Sequence, residues 1–218
     1  MFIENDIKDS VDNKVNTPNN EPYTNSFILK NKVCVPIMGT NNDAAALLAY
    51  QVAMPGYQIL GFLGNPSTPW ESTDALHCRT HEIADQGMLL VSHLPLYDSV
   101  PAQSCFEITA QIDAFSGSLI YPDSVWTIYK TGSSEWDTLT MINTSNSECK
   151  ACIPGQMEGT AISYFIQARD ASGRLSNHPY IGAPDPHKFA VKVSVPPALV
   201  VSPDSLIFLS LPQMIEGK

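Results

Sequence analysis

The chain has 218 residues, 44% of them hydrophobic and 16% charged, with 17 prolines. That composition excludes collagen, coiled coil and wholesale disorder, and the length suits one large domain or two small ones built from short segments. A net charge of -10, spread along the chain, argues against nucleic acid or an anionic membrane as partner, and no apolar run approaches the roughly 18 residues of a membrane span.

Residues 1–22 are rich in Asn and Asp without sustained period and read as a mobile entry segment. The N-terminal stretch Met1 to Ser10 lacks the apolar core of a signal peptide, so localisation stays open. Tyr23 to Leu29 reads as a strand, Asn31-Lys32 as a tight connection and Val33 to Ile37 as a second strand, which together make a hairpin. Asn42-Asp43 supplies a helix N-cap. Ala44 to Ala53 follows as a helix packed through Leu47, Leu48 and Tyr50, stopped by Pro55-Gly56. Tyr57 to Leu63 returns as a strand, Gly64 to Ser72 is a loop carrying Trp70, and Met88 to Ser92 is a short buried strand. Strand, strand, helix, strand is a single unit with too little apolar surface to close its own core, and is expected to belong to a larger assembly of similar units.

After Leu96 the pattern changes to short strands with turns between them: Cys105 to Ile112, Val125 to Lys130, Thr138 to Ile142, Thr160 to Asp170 and Lys188 to Val195. Roughly seven short strands over about 100 residues is the rhythm of an immunoglobulin-like sandwich, with Trp126 or Trp136 as its core aromatic. Pro196-Pro197 marks a linker, and Leu199 to Leu209 resembles the first strand of a further segment. The expected organisation is an α+β chain: an entry segment (1–22), a strand-strand-helix-strand unit (23–95), an all-β sandwich (96–195), and a linker with the start of another element (196–218).

Five cysteines, Cys34, Cys78, Cys105, Cys149 and Cys152, are too few for a disulfide scaffold, and the odd number leaves at least one thiol outside any intrachain bond. The densest reactive run is Trp70 to Glu82. Within it Cys78 stands beside Arg79 and close to His77 and His81, a setting that can favour the thiolate, the only nucleophilic form. The plain alternative is an inert core cysteine beside a strand. On extended backbone His77 points away from Cys78 and is not its base, whereas Asp74 shares a face with Cys78 and is placed either to touch substrate or to cap the loop. Trp70 either covers a site mouth or packs on its own domain. Cys149-Lys150-Ala151-Cys152 would need two further ligands for zinc, of which Cys105 or a histidine could supply one, and a loop disulfide or two free thiols is the expected reading. His178 and His187, at turns of the sandwich, are assigned surface or packing roles.

Leu76-His77-Cys78-Arg79-Thr80, preceded by Ser72-Thr73-Asp74-Ala75, resembles the cysteine motif of the Porphyromonas-type peptidylarginine deiminases, relatives of the agmatine deiminases. Pro22-Tyr23-Thr24-Asn25-Ser26, Val35-Pro36-Ile37 and Met54-Pro55-Gly56-Tyr57 add to it. Ser172-Gly173-Arg174 and Ile181 to Phe189 resemble the immunoglobulin-like domain that follows the catalytic domain there. The resemblance spans about Glu21 to Val193. It implies a pentein, a propeller of strand-strand-helix-strand blades, of which this chain holds the C-terminal part, and hydrolysis of an arginine guanidinium to citrulline and ammonia. Cys78 would be the nucleophile and form a thiouronium, Asn25 an orienting group, and Thr73 and Asp74 substrate contacts. No cofactor or metal is implied. The substrate would be an arginine-containing peptide or a small guanidino compound, and the remaining partner the missing N-terminal blades. A secreted or cell-envelope setting goes with the family, and putrescine formation with its agmatine branch.

The family's His-x-Asp motif, which supplies the general acid/base and a guanidinium-binding carboxylate, is not matched. None of His77, His81, His93, His178 and His187 is followed two places later by Asp. This chain alone is therefore expected to be inactive. An agmatine-type hydrolase is the runner-up, and a non-catalytic binding protein working through its sandwich is the rival from another class.

Overall fold

The computed structural model describes residues 21–71, 73–81, 83–145 and 147–194. The expected entry segment up to residue 20, the linker at 196–197 and the apolar stretch 199–209 lie outside the described residues. The described residues are mostly β, arranged in three sheets.

The first sheet has the order β1-β2-β3, from Phe27–Leu29, Lys32–Ile37 and Gln58–Leu63. β1 and β2 form an antiparallel hairpin that turns at Lys30-Asn31, one residue earlier than expected, with Lys30 at φ 53°. The first strand starts at Phe27 rather than Tyr23, because Asn25 N–H closes a turn onto the Pro22 carbonyl at 2.9 Å. β2 and β3 run parallel. That pairing demands a crossover connection, and α1 (Asp43–Ala53) supplies it. Pro36 is tolerated in β2 because the register with β1 ends at Cys34, leaving β2 paired on one side there.

α1 buries Ala46, Ala49 and Tyr50 against Val33 and Val35. Leu47 packs in part, while Leu48 is 58% exposed, which corrects the expectation that Leu48 is a packing residue. Positions 46, 49, 50 and 53 share one helical face, and 48 lies off it. Asn42 is the N-cap by position but makes no side-chain cap bond. The Asp43 carboxylate instead reaches backward and accepts from the N–H groups of Met38 (3.0 Å), Gly39 (2.8 Å) and Thr40 (3.0 Å). Tyr23 O–H also donates to it, at 2.8 Å.

The other two sheets face each other as a sandwich. One has the order β4-β6-β10-β9, from Leu89–His93, Cys105–Ala114, Glu148–Pro154 and Ile142–Ser145. The other has the order β5-β13-β11-β7-β8, from Ser99–Val100, His187–Val191, Ala161–Asp170, Ile120–Thr131 and Asp137–Thr140, with β12 (Leu175–His178) paired to the second half of β11. The core follows the alternation of the strands: Phe106, Ile108, Ala110 and Ile112 of β6 meet Ile162, Tyr164, Ile166 and Ala168 of β11. Each such large apolar side chain contributes roughly 1.5–3 kcal/mol by leaving water.

Three expectations are corrected in this region. β4, expected in the first unit, is hydrogen-bonded to β6, so the sandwich begins by Leu89. Neither Trp126 nor Trp136 is a core residue, since both are half-buried. Trp136 sits on the outside against Phe165 and under Lys130, and the core aromatics are Phe106, Tyr164 and Phe189. The Cys-x-x-Cys pair lies in strand β10 rather than in a loop. Three positions apart, its members point to opposite faces. Cys149 is a buried free thiol, and Cys152 is disulfide-bonded to Cys105 on β6.

Candidate functional site

The residues singled out from the sequence lie on a short helical turn, Leu76–Arg79, that follows the loop after β3. The facing of His77 and Asp74 relative to Cys78 is conditional on extended backbone, and the backbone at Cys78 is a helical turn instead. Ala75, wholly buried, roots the turn, and its carbonyl accepts from Arg79 N–H at 3.0 Å. Thr80 Oγ1 donates to the Leu76 carbonyl at 2.7 Å and closes the far end.

Asn25 clamps this turn from across the sequence. Its side-chain Oδ1 accepts from Cys78 N–H at 3.3 Å, its Nδ2 donates to Cys78 Sγ at 3.2 Å, and its backbone carbonyl accepts from His77 N–H at 3.2 Å. The amide orientation is dictated by this set: Cys78 N–H can only donate, so Oδ1 must face it and Nδ2 must face the sulfur. Asn25 is itself fixed by the Pro22 turn, under which Tyr50 Oη donates to the Tyr23 carbonyl at 2.9 Å. Burial, then the Asp43 carboxylate beside it, pushes the Tyr23 hydroxyl up to about 12, so it stays a donor.

The Cys78 thiol is exposed. It donates to the Thr73 carbonyl at 3.3 Å. Thr73 thus meets the cysteine through its backbone. Asp74 shows the loop role of the two expected for it. Its carboxylate is taken in a bidentate pair by Arg79, Nε to Oδ1 at 3.0 Å and Nη2 to Oδ2 at 2.9 Å. The bonds from Arg79 hold the Asp74 carboxyl below its ordinary value.

Arg79, which the sequence offers as a charge beside Cys78, ties the loop, a part that the sequence reading missed. It also donates to the carbonyls of Thr68 (3.2 Å) and Pro69 (3.1 Å), with its guanidinium 5.1 Å from the centre of the Trp70 ring. Trp70 in turn donates from Nε1 to the Phe62 carbonyl at 2.7 Å. The tryptophan packs on its own unit, and the arginine ties the preceding loop to the cysteine turn. A fork of donors next to a Pro/Thr loop was the available signal. Of the other thiols, Cys34 and Cys149 are pushed up by burial, Cys34 against the pull of Lys32. No group of three metal-ligating side chains that could hold an ion occurs among the described residues, and no helix among them is long and apolar enough to cross a membrane. A groove of about 690 Å³ opens at one end of the sandwich, walled by residues such as Asp113, Phe115, Leu119 and Asn143, none of them from the first unit.

No family model matches the sequence. Among solved structures, one described as the crystal structure of the Br derivative of BhCBM56 matches over 50% of this chain and 96% of that one, at 9% identity and a TM-score of 0.28. A likeness at that score carries no argument.

Proposed function

We propose that this chain is the C-terminal part of a peptidylarginine deiminase of the agmatine deiminase superfamily: the end of a pentein catalytic domain followed by an immunoglobulin-like module. The observation that carries the reading is the contact between Asn25 and Cys78. Two residues from separate stretches of the resemblance, 53 positions apart, meet at an exposed thiol with an amide N–H aimed at its sulfur.

The chemistry starts from the thiolate. Cys78 Sγ adds to the guanidinium carbon of an arginine side chain, ammonia leaves with a proton, and a thiouronium remains on the sulfur. Water then adds to the same carbon, Sγ departs as thiolate, and the urea group of citrulline is formed. Asn25 Nδ2 supports the sulfur each time it carries negative charge. The proton carrier and the carboxylates that grip the guanidinium come, in this reading, from upstream blades bearing the His-x-Asp motif. The same blades partner the first sheet, whose rim exposes Leu29, Phe62 and Leu63.

The test joins this chain to such blades. Equal yields of citrulline and ammonia from an arginine peptide, abolished by Cys78→Ala, are expected, with Asn25→Asp slower than Asn25→Ala. A carboxylate can still accept from Cys78 N–H but opposes the thiolate, so packing alone would not give that order. Preference for agmatine would move the reading to the small-guanidine branch. An inert Cys78 towards a haloacetamidine analogue of arginine, with no turnover of either substrate, would overturn the enzyme reading and leave the sandwich as the working part.

A further inference from the structure

β12 ends at His178 and β13 begins at His187. The loop between them, residues 179–186, is closed at its base by these two rings, with His178 Nδ1 2.9 Å from His187 Nε2 and ring centres 5.0 Å apart. His93 of β4 stands behind both, its ring centre 5.6 Å from that of His178 and 5.5 Å from that of His187. The state of His93 follows from its partners. The Thr109 carbonyl, 2.7 Å from Nδ1, can only accept, so Nδ1 carries the proton. Leu96 N–H donates to Tyr164 Oη at 3.0 Å, which leaves the Tyr164 O–H to donate to His93 Nε2 at 2.8 Å. A second proton on His93 would orphan that hydroxyl, on a side chain with no exposed surface.

The far side of the same loop meets the first unit. A Cβ placed on Gly56 would lie 2.5 Å from Pro184 Cβ and 3.0 Å from Ile181 Cγ1, so Gly56 lies directly against the loop. The neighbouring Tyr57 hydroxyl is pushed up by burial and then by Tyr180 and Asp185 of the loop.

We propose that the His178–His187 hydrogen bond is a proton-released staple, which keeps the 179–186 loop in the shape that seats on Gly56 and opens when the histidine cluster is protonated, loosening the first unit from the sandwich. An N–H···N bond survives one proton added to the pair but not two, because two imidazolium rings would then meet donor to donor. The groups facing the pair are His93 from β4 and Tyr164 from β11; Tyr97 acts on Tyr164, and Tyr180 and Asp185 of the loop act on Tyr57. Lys188, next along β13, is exposed and alternates to the other face. Among the described residues no carboxylate hydrogen-bonds to any of the three rings, so no negative charge there rewards their charging. Burial, then His178 and His93, holds His187 down to about 3 from an ordinary 6.5. Burial lowers His178 as well, and burial followed by His178 lowers His93 against the Thr109 bond.

The sign follows from linkage. A ring that stays neutral in the closed loop and regains its ordinary affinity when released favours release below pH 6.5, tenfold per pH unit, until about pH 3. One such ring shifts the balance about 30-fold by about pH 5. The test is hydrogen exchange on the 218-residue chain, corrected for its intrinsic pH dependence, at about pH 7.5 and about pH 5. Residues 54–58 and 179–186 are expected to lose protection by about that factor while β6 and β11 hold theirs. The double variant His178→Asn, His187→Gln keeps hydrogen-bonding groups without titrating and should lose the response. Unchanged protection in the parent chain, loss spread equally over β6 and β11, or an unaltered response in the double variant would overturn the proposal. Should that variant not fold, imidazole titration by NMR on the parent chain decides. Midpoints for His178 and His187 well below 6.5 that track loop release support the staple, and ordinary midpoints with an unmoved loop refute it.

Discussion

Gly56→Ala separates close packing from backbone strain at the joint between the two units. Gly56 has φ +83°, a left-handed conformation that disfavours any Cβ by about 1–2 kcal/mol. The added methyl would also sit 2.5 and 2.7 Å from Cβ and Cγ of Pro184, where carbon atoms rest at about 3.5–4.0 Å. Pro184 has no rotamer to escape into, so loop backbone must yield by about 1 Å, an overpacking penalty of roughly 1–3 kcal/mol. The expected total is about 2–5 kcal/mol. Gly173 is the control: its φ is +85°, but a Cβ there would meet nothing within 4 Å, so Gly173→Ala carries only the conformational part, about 1–2 kcal/mol. Denaturant unfolding of both variants, with hydrogen exchange to localise the loss, measures the difference. Equal losses, or a Gly56→Ala loss that spares residues 54–58 and 179–186, would refute the reasoning.

Arg79→Lys can keep Asp74 but not also the Thr68 and Pro69 carbonyls, so exchange in the 64–71 loop should rise while the sandwich is unchanged. Because Arg79 lowers the Asp74 carboxyl from 3.8, loop protection in the parent chain should be flat above that value and fall only as pH drops through the lowered one, since protonation removes the partner. Replacing both Cys105 and Cys152 by Ser removes a cross-link with a sequence separation of 47, which is worth about 4 kcal/mol on chain entropy and should appear as a loss of about 2–4 kcal/mol in unfolding free energy. Iodoacetamide on the native chain, followed by mass spectrometry, should label Cys78 first, half-buried Cys34 more slowly and Cys149 only on unfolding. Labelling of Cys149 as fast as Cys78 would contradict its burial.

What could be read from the sequence was what depends on near neighbours. The hairpin, the helix over 44–53 and the strand 160–170 are each legible from their own residues, and each is found within four residues of its expected bounds. The errors fall where the deciding partner is remote. Leu76–Arg79 has no periodicity that settles its backbone, and Asn25, far away in sequence, holds its N–H groups in a turn. The strand character of β10 was hidden under a metal-like cysteine spacing, and its pairing with β6 decided otherwise. Trp126 or Trp136 is the core aromatic expected of such a sandwich, but burial follows register, and around Trp126 the register places the smaller Val125 and Thr127 inward. His178-Pro179 and Pro186-His187 bracket one loop symmetrically, a pattern whose meaning appears only once β12 and β13 bring its ends together.

In the proposed reading, the surroundings of the Cys78 sulfur bear on how much of the catalytic machinery the first unit holds. Its two contacts favour opposite protonation states: the Asn25 N–H stabilises a thiolate, and the Thr73 carbonyl needs the thiol proton. Neither can carry a proton away. Asp74, the nearest carboxylate by sequence, is already paired with Arg79 at 2.9 Å, so it serves the loop rather than the sulfur. Among the described residues the sulfur therefore has a donor to steady its charge and no base to create it. In the proposed deiminase, a cysteine held in place with no base of its own suits a divided catalytic machinery, because activation then waits until the proton carrier and the cationic substrate are both in position.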